Sequence, residues 1–128
     1  MAGLFLPLVG FMPNTPPPAP TIAVVQCLDK TCIDGRITHY ASHYGINEDF
    51  MRKIVVCENR DYDPLLQSYH KDPTGPNGRE NSWGLVQIHL PSWKDITKEQ
   101  ATDVEFSLDF LAKKMSEGHS RLWTCARS

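Results

Sequence analysis

Apolar residues along this chain recur at helical spacing once a proline-rich entry has passed. Ile37, Tyr40, Ala41 and Tyr44 fall at i, i+3, i+4 and i+7 on one stripe of a helix that runs from Asp34, and Gly45 follows as a natural stop. Asn47 is placed to cap a second helix, with Glu48 and Asp49 favourable in its first turn and Phe50, Met51, Ile54 and Val55 as its apolar face. Glu58 then falls near the C-terminal end of that helix, where a negative charge opposes the helix dipole. The stretch DYDPLLQSYHKDPTGPNGREN is too rich in Pro, Gly, Asn and Asp for a long regular element. Its GPNG predicts a tight turn within a solvent-facing loop or small hairpin. SWGLVQIHLP reads as one short strand stopped by Pro91. Thr97 and Gln100 have capping-box spacing, and Asp103 caps a last helix with the stripe Val104, Leu108, Leu111 and Met115, ended by Gly118. The tail SRLWTCARS brings Trp123 and Cys125 back toward the core. The expected class is mainly α (α+β), several helices with a small hairpin or loop region.

The first twenty residues differ in kind. MAGLFLPLVGFM is apolar and uncharged, and PNTPPPAP is a spacer that favours extended backbone. The apolar run is shorter than the roughly 20 residues that span a bilayer, and no Lys or Arg precedes it. Residues 1–20 are therefore read as a degraded export signal, or as an anchor plus spacer giving membrane association, and residues 21–128 as the folded domain. A chain of 128 residues suits one domain with a real core. Its 13 Lys and Arg against 15 Asp and Glu give a net charge of −2. These charges are scattered, so no basic stripe points to a nucleic-acid partner. A monomer is expected.

Four cysteines, Cys27, Cys32, Cys57 and Cys125, form an even set in a small chain with a candidate export segment, which favours disulfides. No second Cys pair or paired His stands at zinc-finger distance from Cys27 and Cys32, and His39, His43, His70 and His119 share no metal spacing, so no metal is expected. The spacing leaves the disulfide connectivity open. A bridge from Cys57 to Cys125 would enclose almost the whole domain and contribute ~4 kcal/mol in the chain-entropy model.

An acid at a helix end, a Gly- and Asn-rich loop, and then Ser82, Trp83, Gly84, Leu85, Val86, Gln87 and Ile88 resemble the catalytic domain of soluble lytic transglycosylases. That family shares the lysozyme-like fold with goose-type lysozymes. Its pattern is an acid followed by Ser and, some two dozen residues on, a small residue, any residue, and Gly-Leu-Met-Gln-Ile; here Gly84 follows Glu58 by 26 residues. The resemblance covers roughly Asn47 to Cys125. It implies peptidoglycan glycan strands as substrate, no cofactor, and an extracytoplasmic or virion-associated location. Glu58 would protonate the bond between N-acetylmuramic acid and N-acetylglucosamine and then act as base on the muramic C6 hydroxyl, releasing a 1,6-anhydro product. Gln87 and the backbone near Ser82 would hold the sugars, Gly84 would allow close approach, and Trp83, Leu85 and Ile88 would belong to the same substrate-binding run.

The chemistry asks for an acid whose pKa is raised toward ~6 by apolar walls, for which Val55, Val56, Leu85 and Ile88 are candidates. A hydrolase outcome is the alternative. It would need a second carboxylate about 6.5–9.5 Å away to seat a water in an inverting enzyme, with Asp61, Asp63, Asp72 and Glu80 as candidates. A second alternative is an inactive glycan-binding or structural module. The chain departs from the family at Asn59, where Ser is usual, and at Arg60, where a small residue is common. It also carries RLWTCARS in place of an Ala-Tyr-Asn-Ala-Gly segment. Trp83 and Trp93 suit core or cleft equally, Trp123 is expected to pack, and His89 to be a packed or surface residue and not a catalyst.

Overall fold

The computed structural model describes residues 27–127; residues 1–20, read above as signal or anchor, lie outside the described residues. Four helices dominate: α1 (Lys30–Tyr44), α2 (Glu48–Glu58), the one-turn α3 (Lys98–Ala101) and α4 (Val104–Ser116). The domain is mainly α, as expected. Asp29 caps α1 by accepting from the Cys32 N–H at 2.9 Å, so the helix begins four residues before Asp34 and adds Ile33 to the buried stripe of Ile37 and Ala41. Gly45, left-handed at φ 64°, closes α1 with its N–H on the last-turn carbonyls of Ala41 and Ser42. Asn47 caps α2 through Phe50 N–H at 2.7 Å, Thr97 and Gln100 form the capping box of α3, and Asp103 caps α4.

α1 packs against α2 and α4, and the far flank of α2 receives the C-terminal 3-10 turn Thr124–Arg127. Ile33, Ile37, Met51, Ile54, Leu108 and Leu111 are fully buried where these helices meet. Around them, Arg52 joins Asp34 at 2.8 Å and Glu48 at 3.0 Å, while Arg36 and Tyr40 share Glu105. Partly exposed pairs of this kind contribute about 0–1 kcal/mol each, so apolar burial is the main term that holds the helices together.

The stretch SWGLVQIHLP is a hairpin, where one strand was expected. β1 (Ser82–Trp83) pairs antiparallel with β2 (Ile88–His89), with Ser82 opposite His89 and Trp83 opposite Ile88. The chain reverses between them because Gly84 and Gln87 both take positive φ, 86° and 53°. Further bridges, Gln67 with Trp83 and Lys71 with Arg79, lay the preceding loop beside β1. The GPNG turn closes that loop as a 3-10 turn over Pro76–Gly78, held by the Gln67 side chain, which donates to Pro76 O at 2.8 Å and accepts from Asn77 at 3.1 Å.

Two disulfides, Cys27–Cys32 and Cys57–Cys125, resolve the connectivity, with Cα separations of 5.4 and 5.9 Å. Among the described residues no helix is long and apolar enough to cross a membrane.

Candidate active site

Glu58 is the last residue of α2, at the end of the same helix face whose Met51, Ile54 and Val55 are locked in the core. Asn59 fixes the exit. Its backbone N–H bonds Val55 O at 2.8 Å, and its side chain, 1% exposed, accepts from Asp63 N–H at 2.9 Å. The same amide donates to Asp63 O at 2.6 Å and Gly84 O at 3.1 Å. Asn59 therefore ties the end of α2 to the loop and to the β1–β2 turn. This Asn has a structural use that the shorter Ser could not reproduce in full. Arg60 is exposed.

The carboxyl of Glu58 opens into a cleft of about 470 Å³ between α2, the small sheet and the C-terminal tail. Polar groups from the sheet side, Ser68, His70, Glu80, Ser82, Gln87 and His89, face Leu122, Trp123 and the Cys57–Cys125 bridge on the tail side. The Glu58 pKa is raised from 4.5 to about 7. Burial is the largest cause and the nearby Glu80 charge adds to it; His70 and the Cys125 backbone N–H, which donates to the carboxylate, pull the other way. At neutral pH a large fraction of Glu58 thus carries a proton and faces a polar cleft, the condition a general acid needs.

The sequence-level candidates divide. Ser82 and Gln87 reach the cleft: the Ser82 hydroxyl pairs with His89 Nδ1 at 3.0 Å, and the Gln87 amide is held by donating to Gly84 O at 2.9 Å and Leu66 O at 3.1 Å. Leu85 and Ile88 do not. Both are buried in the core and support the turn from beneath, and Val56, 41% exposed, points away to solvent. None of these three walls the acid; Leu66, Trp123 and the disulfide do so instead. Gly84 lies outside the cleft lining and is needed for the fold, since a Cβ there would run into the Ala101 carbonyl oxygen of α3. Trp83 is 8% exposed, donates to Asn81 Oδ1 at 2.7 Å and lies under the Lys98 ammonium. Trp93 packs edge-on to Phe110. Neither lines the cleft.

Among the second-carboxylate candidates, only Glu80 lines the cleft with Glu58. Asp63 and Asp72 are occupied with turns, accepting from Leu65 N–H and from Thr74, and Asp61 is exposed. Trp123 packs as expected, 5% exposed with its indole N–H on Val86 O at 2.6 Å, yet its flank also forms cleft wall. His89, expected as a packed or surface residue, His70, weighed only as a metal ligand, and Tyr69 and Leu122, to which the sequence assigned no role, all border the cleft. Their signal was weak: an aromatic and a His inside a polar loop, and a Leu beside Trp123. Compared with protein-family models, curated proteins and solved structures, the chain gives no match, so the arrangement of Glu58 and its cleft stands as the ground for assigning chemistry.

Proposed function

We propose that the protein is a lysozyme-like, peptidoglycan-cleaving lytic transglycosylase that works with Glu58 as its single acid. The observation that carries this reading is the Glu58 carboxyl, held near neutrality by burial at the floor of a polar cleft. In this scheme Glu58 gives its proton to the oxygen leaving C1 of N-acetylmuramic acid. The C6 hydroxyl of that sugar closes on C1, and the Glu58 carboxylate takes the hydroxyl proton. One C–O bond breaks, one forms, and no water is consumed. The placement of a helix-end acid opposite a small antiparallel sheet supports the lysozyme-like fold that the sequence resembles. Two disulfides fit an extracytoplasmic place of action.

One observation favours a second reading, a hydrolase. Glu80 shares the cleft with Glu58 and is close enough for its charge to raise the pKa of the acid, so it is the group that would activate a water. Digestion of purified peptidoglycan, followed by mass spectrometry, separates the two. Anhydro ends mean transglycosylase, and reducing ends lost on Glu80→Gln mean hydrolase. Equal activity of wild type and Glu58→Gln would overturn both, and wild-type binding without turnover would identify a glycan-binding module.

A further inference from the structure

Five large apolar side chains stand exposed among the described residues: Leu28, Val56, Leu65, Tyr69 and Leu122. Leu28 and Leu65 border a separate groove beside the Cys27–Cys32 bridge. Tyr69, 76% exposed, and Leu122, 53% exposed, both border the Glu58 cleft, one on the sheet side and one on the tail side.

Tyr69 is exposed but fixed. Ser68 before it donates its N–H to Ser82 O at 2.9 Å, and the His70 carbonyl after it accepts from Glu80 N–H at 2.8 Å, so the backbone on either side of it is tied down. The Arg79 guanidinium lies 5.0 Å from the centre of the Tyr69 ring. That guanidinium is itself pinned, with Nε on Ser68 O at 2.8 Å and a terminal nitrogen on Gln67 O at 2.6 Å. One ring face is therefore backed by a cation, while most of the ring surface remains in solvent. A rigid aromatic at a cleft mouth gains contact area with little loss of rotamer freedom on binding. The ligand class that matches it has a flat apolar face of axial C–H bonds and a rim of hydroxyls and amides for Ser82, Gln87 and His89. A β-1,4-linked N-acetylhexosamine ring has both.

We infer that Tyr69, backed by Arg79, is the stacking platform for a sugar ring flanking the bond that Glu58 attacks, with Leu122 as the opposing lip. This assignment rests on the Glu58 reading for the position of the bond, and it names a binding subsite within that cleft. The test uses the full chain carrying Glu58→Gln, so that no turnover occurs, with the β-1,4-linked tetramer of N-acetylglucosamine as calorimetric probe. Adding Tyr69→Ala should raise Kd about tenfold and Leu122→Ala about threefold, while Tyr69→Phe stays within about twofold, because the ring face and not the hydroxyl makes the contact. All variants should keep the melting temperature of the parent, since both side chains are exposed. An unchanged Kd for Tyr69→Ala, an equal loss for Tyr69→Phe, or no binding by the parent overturns the platform. If Kd is unchanged while wild type digests peptidoglycan and Glu58→Gln does not, only the platform falls. If the probe binds through Tyr69 but wild type cleaves nothing, the platform stands and the enzyme reading falls.

Discussion

Replacing Cys57 and Cys125 together by Ser should do more damage than any other paired substitution at the cysteines. It should damage the acid as well as the fold. The bridge closes a loop of 68 residues, whose chain-entropy contribution is ~4 kcal/mol, whereas Cys27–Cys32 closes a separation of 5 and contributes ~2 kcal/mol. Against a total stability of about 5–15 kcal/mol for a domain of this size, the first loss is a large fraction and the second is tolerable. At about 4–8 °C per kcal/mol, the Cys57/Cys125 variant should melt ~15–30 °C below wild type.

The site should respond too. Cys125 donates its backbone N–H to Glu58, and the tail it anchors carries Trp123, which with the bridge and Leu66 walls the carboxyl. Losing the hydrogen bond raises the Glu58 pKa and losing the wall lowers it; burial is the larger cause, so the net movement is downward from about 7. Urea unfolding followed by tryptophan fluorescence measures the stability terms, and the basic limb of the activity profile measures the acid. If the Cys57/Cys125 pair costs under ~1 kcal/mol, or less than the Cys27/Cys32 pair, the tail is held by packing alone and the bridge has no such role.

Four further outcomes follow. Glu58→Gln should be as stable as wild type at pH 4 and more stable by about 1–2 kcal/mol at pH 8 by chemical denaturation, screening at a partly buried site included. The sign follows from a folded pKa raised from 4.5 to about 7: the carboxyl contributes no penalty below its unfolded value and a growing one as pH rises through 7, which a neutral amide escapes. Glu80→Gln should move the basic limb of activity to lower pH, because it removes a charge that raises the Glu58 pKa; a limb that stays in place would refute the coupling. Gly84→Ala should cost about 2–4 kcal/mol in urea unfolding, since φ is 86° and the new methyl meets the Ala101 carbonyl. Asn59→Ala should cost about 2–3 kcal/mol by leaving Asp63 and Gly84 backbone groups without their partner, with Asn59→Ser recovering part of the loss.

The helices were legible because their causes are local. Asn47, Thr97 and Asp103 each act on the N–H group three residues ahead, and the α4 stripe is a periodicity visible in thirteen residues. The start of α1 was placed late because the cap, Asp29, sits between the two cysteines of a bridge, where the apolar stripe supplies only Ile33. The hairpin at 82–89 was hidden for a different reason. A largely apolar run of this length reads as one strand, and nothing local says that Gln87 adopts a positive φ. That turn is stabilised from a distance by the Gln87 amide on Leu66 O and by Asn59 on Gly84 O.

The same division explains the site. The position of Glu58 at a helix end was readable, because helix length and capping determine it. Its pKa is set by groups that are remote along the chain: burial and Glu80, brought in by the sheet, raise it, while the Cys125 N–H, brought in by a disulfide that spans 68 residues, lowers it. Asn59 links these two levels. It ends α2 locally through Val55 and, through Gly84, orients the turn that carries Gln87 into the cleft. The acid and the sheet that faces it are thus held in register by one buried amide, so a substitution there should disturb Gln87 and Glu58 together, although neither side chain is touched.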